Sequence, residues 1–316
     1  MSQRTKRLYL VVMKQADVPP RDQRIAAMLG ALRAGDIAQA EAGVVSLLAD
    51  LPDDPAVHQL AAVVALARND AAAAGEHAAS SLRYRPRHAP TLLIAGRAAR
   101  LQGDLAGADR HFTGALQLEP QRAEAAFLTC VTRLERGDPT ARQLLDQLIV
   151  DFPEDADGWF EIGLSLQRAD KTEAALSAFA RAHRRPDSHL RRGVILQQRQ
   201  EPVSAISAFE TAVTMDARLA EAWFRLGVLY QDQHRPEDAV AAYRQALAER
   251  PDLAEAAVNL GLLLQEAGDR DAAYACYRRA LALRPESFGR IAQGITAGPH
   301  GQMWLDLGRL RAFLQG

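Results

Sequence analysis

A unit of about 34 residues recurs along this chain, and it constrains the fold more than any single residue does. Its clearest copy runs from Ala220 to Leu253 and reads AEAWFRLGVLYQDQHRPEDAVAAYRQALAERPDL. With Ala220 as position 1, Trp223, Leu226, Gly227 and Tyr230 fall at positions 4, 7, 8 and 11. Ala239, Tyr243, Ala246 and Pro251 fall at positions 20, 24, 27 and 32. The first set lies on one face of a helix, and positions 20, 24 and 27 form the facing stripe of a second helix. Gly227 and Ala239 are small, so the two axes can approach closely. Pro251 has no amide proton and disfavours helix at the residue before it, so it closes the second helix. A single hairpin of this kind cannot bury its own apolar surface, and copies must stack on one another.

Copies occur at 21–54, 55–88, 89–122, 123–155, 156–185, 186–219, 220–253 and 254–287. Pro52, Pro86, Pro120, Pro153, Pro251 and Pro285 close six of them, and Ala40, Ala74, Ala108, Ala175, Ala205, Ala239 and Ala273 recur at position 20. The turn between the helices repeats as Gly35-Asp36, Asn69-Asp70, Gly103-Asp104, Gly137-Asp138 and Gly268-Asp269. Gly or Asn there supplies the left-handed residue that ends the first helix. The order and spacing of these residue types resemble the tetratricopeptide repeat. The resemblance implies an all-α, right-handed α-solenoid of about eight helix–turn–helix repeats with a capping element at each end. Residues 1–20 are expected to cap the N-terminal face, with Leu10 and Met13 in the register of a second helix; the run Arg7 to Met13 also reads as a strand. Residues 288–316 are expected to close the other end, with a first-type helix from Phe288, a break at Pro299 to Gly301, and a final helix. Trp304, Leu305, Leu307, Leu310, Phe313 and Leu314 trace one face of that last helix.

Two copies depart from the pattern. The fourth is one residue short and has Thr129 and Cys130 where Leu and Gly belong. The fifth is four residues short, about one helical turn. The second helix of copy five and the first helix of copy six are expected to share that loss, as a local shortening or as a change of superhelical pitch.

Composition narrows the function. At 316 residues the chain is large for one compact core, whereas a stacked array has no such limit. A net charge of −1 argues against a dedicated nucleic-acid binder, which is usually strongly basic. Cys130 and Cys276 are the only cysteines and sit in different copies, which suits free thiols in a reducing compartment such as the cytoplasm. The apolar run Leu8 to Met13 is too short for a secretory core, and no run approaches membrane-spanning length. The sequence contains no phosphate loop, zinc-binding His-Glu-x-x-His, Cys-x-x-Cys or nucleophile elbow. No enzyme activity, cofactor, metal or small-molecule substrate is expected. His58 and His189 stand at position 4, where Trp159 and Trp223 stand in other copies, and read as packing residues.

The resemblance implies a partner-binding groove lined by first helices, with positions 2, 5, 9, 12 and 13 facing it. Carried over, these positions give Phe127, Phe160, Leu190, Phe224 and Val258 at position 5, and Leu164, Val194, Val228 and Leu262 at position 9. Positions 5 and 9 are i, i+4 neighbours, so each copy adds one apolar step. Position 12 gives Gln167, Gln197, Gln231 and Gln265, whose amides can pair with a peptide backbone of any sequence. Only Asn259 matches the asparagine ladder of O-linked N-acetylglucosamine transferases, and the Lys and Asn of the co-chaperone carboxylate clamp are absent. A second candidate surface is the arginine cluster Arg184, Arg185, Arg191 and Arg192, opposite an acidic run from Asp151 to Glu161. It could orient a charged partner or join two copies of the chain. The expected function is a scaffold or adaptor that holds a protein or peptide, with an accessory subunit of a separate transferase as the alternative and RNA binding less favoured.

Overall fold

A computed structural model describes residues 20–297 and 307–315. The expected N-terminal cap with Leu10 and Met13, the break at Pro299 to Gly301, and Trp304 and Leu305 lie outside those residues. All regular structure among the described residues is helical. Sixteen of these helices form eight consecutive antiparallel pairs. Pair 1 is Arg21–Arg33 with Ile37–Asp50, pair 2 Pro55–Ala67 with Ala71–Tyr84, pair 3 Ala89–Leu101 with Leu105–Leu118, and pair 4 Ala123–Glu135 with Thr140–Asp151. Pair 5 is Ala156–Arg168 with Thr172–Arg181, pair 6 Pro186–Gln198 with Pro202–Met215, pair 7 Ala220–Asp232 with Pro236–Glu249, and pair 8 Ala254–Glu266 with Arg270–Leu283. Helices Phe288–Ala297 and Leu307–Gln315 come after them. The chain divides into two compact units, one ending at Pro153 and the other beginning at Glu154, so pairs 1–4 belong to the first and pairs 5–8 to the second.

Within a pair, one contact sets how near the two helices come. The ring at position 24 of the second helix lies across the glycine at position 8 of the first. Gly96 faces Phe112, Gly163 faces Phe179, Gly193 faces Phe209, Gly227 faces Tyr243 and Gly261 faces Tyr277. A Cβ on any of these glycines would sit 2.4–2.5 Å from a ring carbon, closer than atoms can approach. All five rings are fully buried. The other pairs solve the same problem differently. In pair 2 two fully buried alanines, Ala62 and Ala78, replace glycine and ring. In pair 1 the order is reversed, and Met28 of the first helix fills the space over Gly43 of the second. In pair 4 the buried Cys130 takes the glycine's place, with its Sγ 3.8 Å from the Ala141 carbonyl, and the residue four after Ala141, where the ring stands in other pairs, is the half-buried Leu145. The second helix of pair 4 buries only Ala141 and Leu148.

The turn within each pair is one left-handed residue followed by a helix start. The left-handed residues are Gly35, Asn69, Gly103, Gly137 and Gly268, as the sequence suggests, and also Asp170, Gln200 and His234, with φ of 55°, 59° and 56°. After Gly35, Asn69, Gly103 and Gly268 the aspartate caps the second helix: the carboxylates of Asp36, Asp70, Asp104 and Asp269 accept from the amides of Gln39, Ala73, Gly107 and Ala272. Pairs 6 and 7 lack that cap and instead start the second helix with Pro202 and Pro236, whose fixed φ suits a first helical residue.

The four missing residues of pair 5 come from its second helix alone, which corrects the expectation of a shared loss. That helix has 10 residues, against 14 in pairs 6, 7 and 8, while the first helix of pair 6 keeps all 13. Pro186 at the first turn of the next helix fixes where that helix begins, so the shortening falls before it. At the C-terminal end, Ile291, Ile295, Leu310 and Leu314 join the buried cluster of pairs 6–8. Leu307, expected on the same face, is exposed, and Phe313 is partly exposed with its ring edge-on to Tyr274 at 5.2 Å.

Two substitutions test this packing by chemical denaturation. Gly193→Ala adds a methyl against the immobile Phe209 ring, and is expected to cost about 1–3 kcal/mol from overpacking. The helix propensity gained by losing the glycine offsets at most about 1 kcal/mol of that. Gln200→Gly relieves a left-handed residue that carries a Cβ and should raise stability by about 1 kcal/mol. A stabilised Gly193→Ala would mean that the ring does not lock the helices.

Candidate functional site

The first-helix residues that the resemblance assigns to a groove do not share one environment. Val258 (2% exposed) and Phe127 (3%) are buried, and Leu190 (9%) nearly so. They hold neighbouring helices together and offer no surface to a partner, so the expected strip is interrupted at these steps. Phe160, Leu164, Val194, Phe224, Val228 and Leu262 stay half-buried. Val194, Phe224, Val228 and Leu262 rest on a single buried cluster of the second unit while keeping part of their surface open. Phe224 leans on Tyr243 with ring centroids 6.0 Å apart. Phe160 leans on Phe179 at 5.7 Å, and the Arg185 guanidinium lies 4.4 Å from the centre of the Phe160 ring.

The glutamines at position 12 have structural partners that sequence reasoning missed. The Tyr243 hydroxyl donates to Gln231 Oε1 and the Tyr277 hydroxyl to Gln265 Oε1, each at 3.1 Å. Gln265 is buried (4% exposed), and its Nε2 donates to the Gly294 carbonyl at 2.9 Å, so its amide ties the last pair to the following helix. Gln197 Oε1 accepts from Arg225 at 3.2 Å. In the pairs that hold Gln167 and Gln197, position 24 is Phe179 and Phe209, which have no hydroxyl to give. The signal was present in the sequence as Tyr at position 24 only where Gln231 and Gln265 need a donor. Asn259, buried at position 6, donates to the Tyr243 hydroxyl at 3.1 Å and accepts from Arg290 at 2.6 Å. A polar chain thus runs Arg290–Asn259–Tyr243–Gln231 through pairs 7 and 8. Burial pushes the Tyr243 phenol up to about 12, so it stays a donor at neutral pH.

Two of the four arginines of the cluster are paired with acidic residues. Arg184 pairs with Glu154 at 3.1 Å, and Arg185 pairs with Asp157 and with Asp187. Asp155 spends its carboxylate on the Gly158 amide as a helix cap. Arg191 is exposed and Arg192 half-buried. Arg184 and Arg185 therefore sit in surface ion pairs, each worth about 0–1 kcal/mol, and only Arg191 and Arg192 are left to act as a basic patch.

The position-4 residues share one role. The Trp223 indole N–H donates to the Ala217 carbonyl at 2.8 Å, six residues back. His58 Nε2 meets the Pro52 carbonyl at 2.8 Å and His189 Nε2 the His183 carbonyl at 2.9 Å, also six residues back. A carbonyl only accepts, so these imidazoles donate from Nε2. That leaves His58 Nδ1 to accept from His77 Nδ1, 3.2 Å away. These histidines staple the connection between pairs. Neither thiol is activated: burial pushes Cys130 up to about 12 and Cys276 up as well. Among the described residues no group of three or more His, Cys, Asp or Glu could hold a metal ion, and no helix is long and apolar enough to cross a membrane.

Sequence profiles described as tetratricopeptide repeat match residues 139–189, 220–253 and 254–287. No curated protein matches the chain. Among solved structures, a tetratricopeptide repeat protein from Parabacteroides merdae aligns at a TM-score of 0.50 and 14% identity, over 77% of this chain and 98% of that one. YrrB, a TPR protein with an unusual peptide-binding site, aligns at 0.40 and 16%, over 67% and 94%. A chain of the APC/C hetero-tetramer Cut9–Hcn1 aligns at 0.41 and 17%, over 84% of this chain but only 53% of that one. At such identities the likeness is one of fold alone.

The polar chain through Tyr243 predicts a measurable cost. Tyr243→Phe keeps the ring over Gly227 but strands the buried Asn259 amide. Thermal or urea unfolding should show a loss of about 1–3 kcal/mol, the cost of an unsatisfied buried donor. An unchanged midpoint would mean that water replaces the hydroxyl.

Proposed function

The chain belongs to the tetratricopeptide-repeat family, and on that premise we propose that its eight helix pairs are eight such repeats, bounded at 21–54, 55–88, 89–122, 123–155, 156–185, 186–219, 220–253 and 254–287, with caps at 1–20 and 288–316. Repeats of this family are interaction modules, and the general function is that of a scaffold for a protein or peptide partner. The binding face we infer lies on the first helices of repeats 5–8. One observation carries it: at position 5 or 9 each of these helices keeps an apolar residue half-open to solvent, whereas repeats 3 and 4 keep none at either position. Phe160, Leu164, Val194, Phe224, Val228 and Leu262 form that strip, and Gln167, Gln197 and Gln231 lie beside it. Partly open apolar residues recurring in four successive repeats suit a partner site. Leu190, Val258 and Gln265 support the strip from within. The two free thiols favour a reducing compartment, and we propose a cytoplasmic location.

The partner segment docks apolar side chains on Phe160 and Phe224, and the glutamine amides meet its backbone. Phe224 is the central anchor, and desolvated aromatic anchors carry most of the energy of such contacts. Affinity capture with the intact chain, followed by titration of the captured partner, tests this. Phe224→Glu is expected to weaken binding by at least ~2 kcal/mol. Reversing Arg184, Arg185 and Arg192 together should change the association rate more than the affinity. If Phe224→Glu binds normally while the triple reversal abolishes capture, the charged cluster is the site and the apolar strip is not.

A further inference from the structure

The second helices of pairs 7 and 8 frame an open, solvent-facing cavity of about 400 Å³ on a surface separate from the first-helix strip. Arg244, Leu247 and Ala248 line it from pair 7, and Cys276 and Arg279 from the second helix of pair 8, with Leu260 from the first. Small residues make it: alanine on the facing second helices leaves the space that a larger side chain would fill. Its size falls within the range of about 300–1,000 Å³ usual for small-molecule sites, and such sites combine an apolar lining with a few placed polar groups.

The polar groups here are two guanidinium ions at the edge of an apolar space. Arg279 donates Nε and Nη2 to the Pro251 carbonyl at 3.0 and 2.7 Å, which fixes its side chain and leaves Nη1 free to donate. Arg244 is exposed. Both arginines line the cavity together with Cys276, and Asp269 is the carboxylate that also acts on that thiol. The lining residues include no carboxylate to neutralise them. Two like charges lining one apolar cavity suit a ligand that brings a single negative charge and an apolar body. The Arg244 guanidinium can take a carboxylate in a bidentate fork, which gives orientation as well as charge, and Arg279 adds a bond from Nη1.

We propose that this cavity binds an apolar monocarboxylate, with its carboxylate on Arg244 and Arg279 and its hydrocarbon body against Leu247, Leu260 and Cys276. The shared chemistry admits two sources, a fatty acid or the C-terminal residue of a peptide. Calorimetric titration of the full chain with decanoate and, separately, with a short peptide ending in leucine distinguishes them. Saturable one-to-one binding of either is expected. Decanol and decylammonium, which lack the negative charge, should bind at least ~10-fold more weakly, as should decanoate to Arg244→Gln. Ala248→Trp, at an exposed position, should fill the cavity and abolish binding while leaving the melting temperature unchanged. Cys276 supplies an internal reporter: bound decanoate should slow its alkylation, whereas Cys130 is buried throughout. The proposal is overturned if neither acid binds, if decylammonium binds as well as decanoate, or if binding survives Ala248→Trp.

Discussion

The structure depends on how closely two helices of a pair can approach, and that distance is set by a glycine under an aromatic ring. A ring carbon 2.4–2.5 Å from where a Cβ would be leaves no room for any side chain at Gly96, Gly163, Gly193, Gly227 or Gly261. The contact is worth more than its own area. Once the ring is seated, the apolar stripes on both helices are fixed in height and rotation, and the next pair meets a surface of defined relief. Stability in such an array is close to a sum of unit terms and nearest-neighbour terms, so a device repeated in five pairs sets most of both. Pairs 1, 2 and 4 lack the glycine-and-ring lock and use Met28 over Gly43, two alanines, or Cys130.

Polar groups inside the second unit answer to that packing. Replacing Phe by Tyr at position 24 in pairs 7 and 8 puts a hydroxyl where water does not reach, and the hydroxyl needs an acceptor. Gln231 and Gln265 provide one in each pair, and Asn259 and Arg290 extend the connection to the following elements. The glutamines therefore divide into two that the fold uses in this way and two, Gln167 and Gln197, whose pairs carry phenylalanine instead. Ser165 and Ser188 are the contrast: both hydroxyls are buried without a hydrogen-bond partner, in the first helices of pairs 5 and 6.

Much of the fold was legible because the period, the prolines and the small residues each have one physical meaning. Pro251 ends a helix wherever it occurs in such a pattern, and Gly227 means close approach. The left-handed turn was legible at Gly35, Asn69, Gly103, Gly137 and Gly268 but hidden at Asp170, Gln200 and His234, where tertiary packing overrides an unfavourable local preference. The candidate binding face was less legible. Position 5 holds an apolar residue in most pairs, yet Val258 and Phe127 are buried while Phe160 and Phe224 are half-open, and residue type does not encode that difference. Burial there depends on the neighbouring pair's side chains. The convergence of Arg244 and Arg279 was invisible for the same reason: residues far apart in sequence meet only once two second helices lie side by side.

The shortened second helix of pair 5 carries a wider consequence. Four residues are close to the 3.6 of one α-helical turn, so their removal turns the point where the chain leaves the helix by roughly 40° rather than reversing it. Ala175, Ala178 and Phe179 still face inward, with Phe179 against Gly163, and the chain still departs on the side from which the next pair can be reached. A loss of two residues would have moved that exit to the opposite side of the helix. Insertions and deletions in such a chain are thus tolerated in quanta, near one turn at a time, and an array can lengthen or contract over its history without any intermediate that exposes its interior.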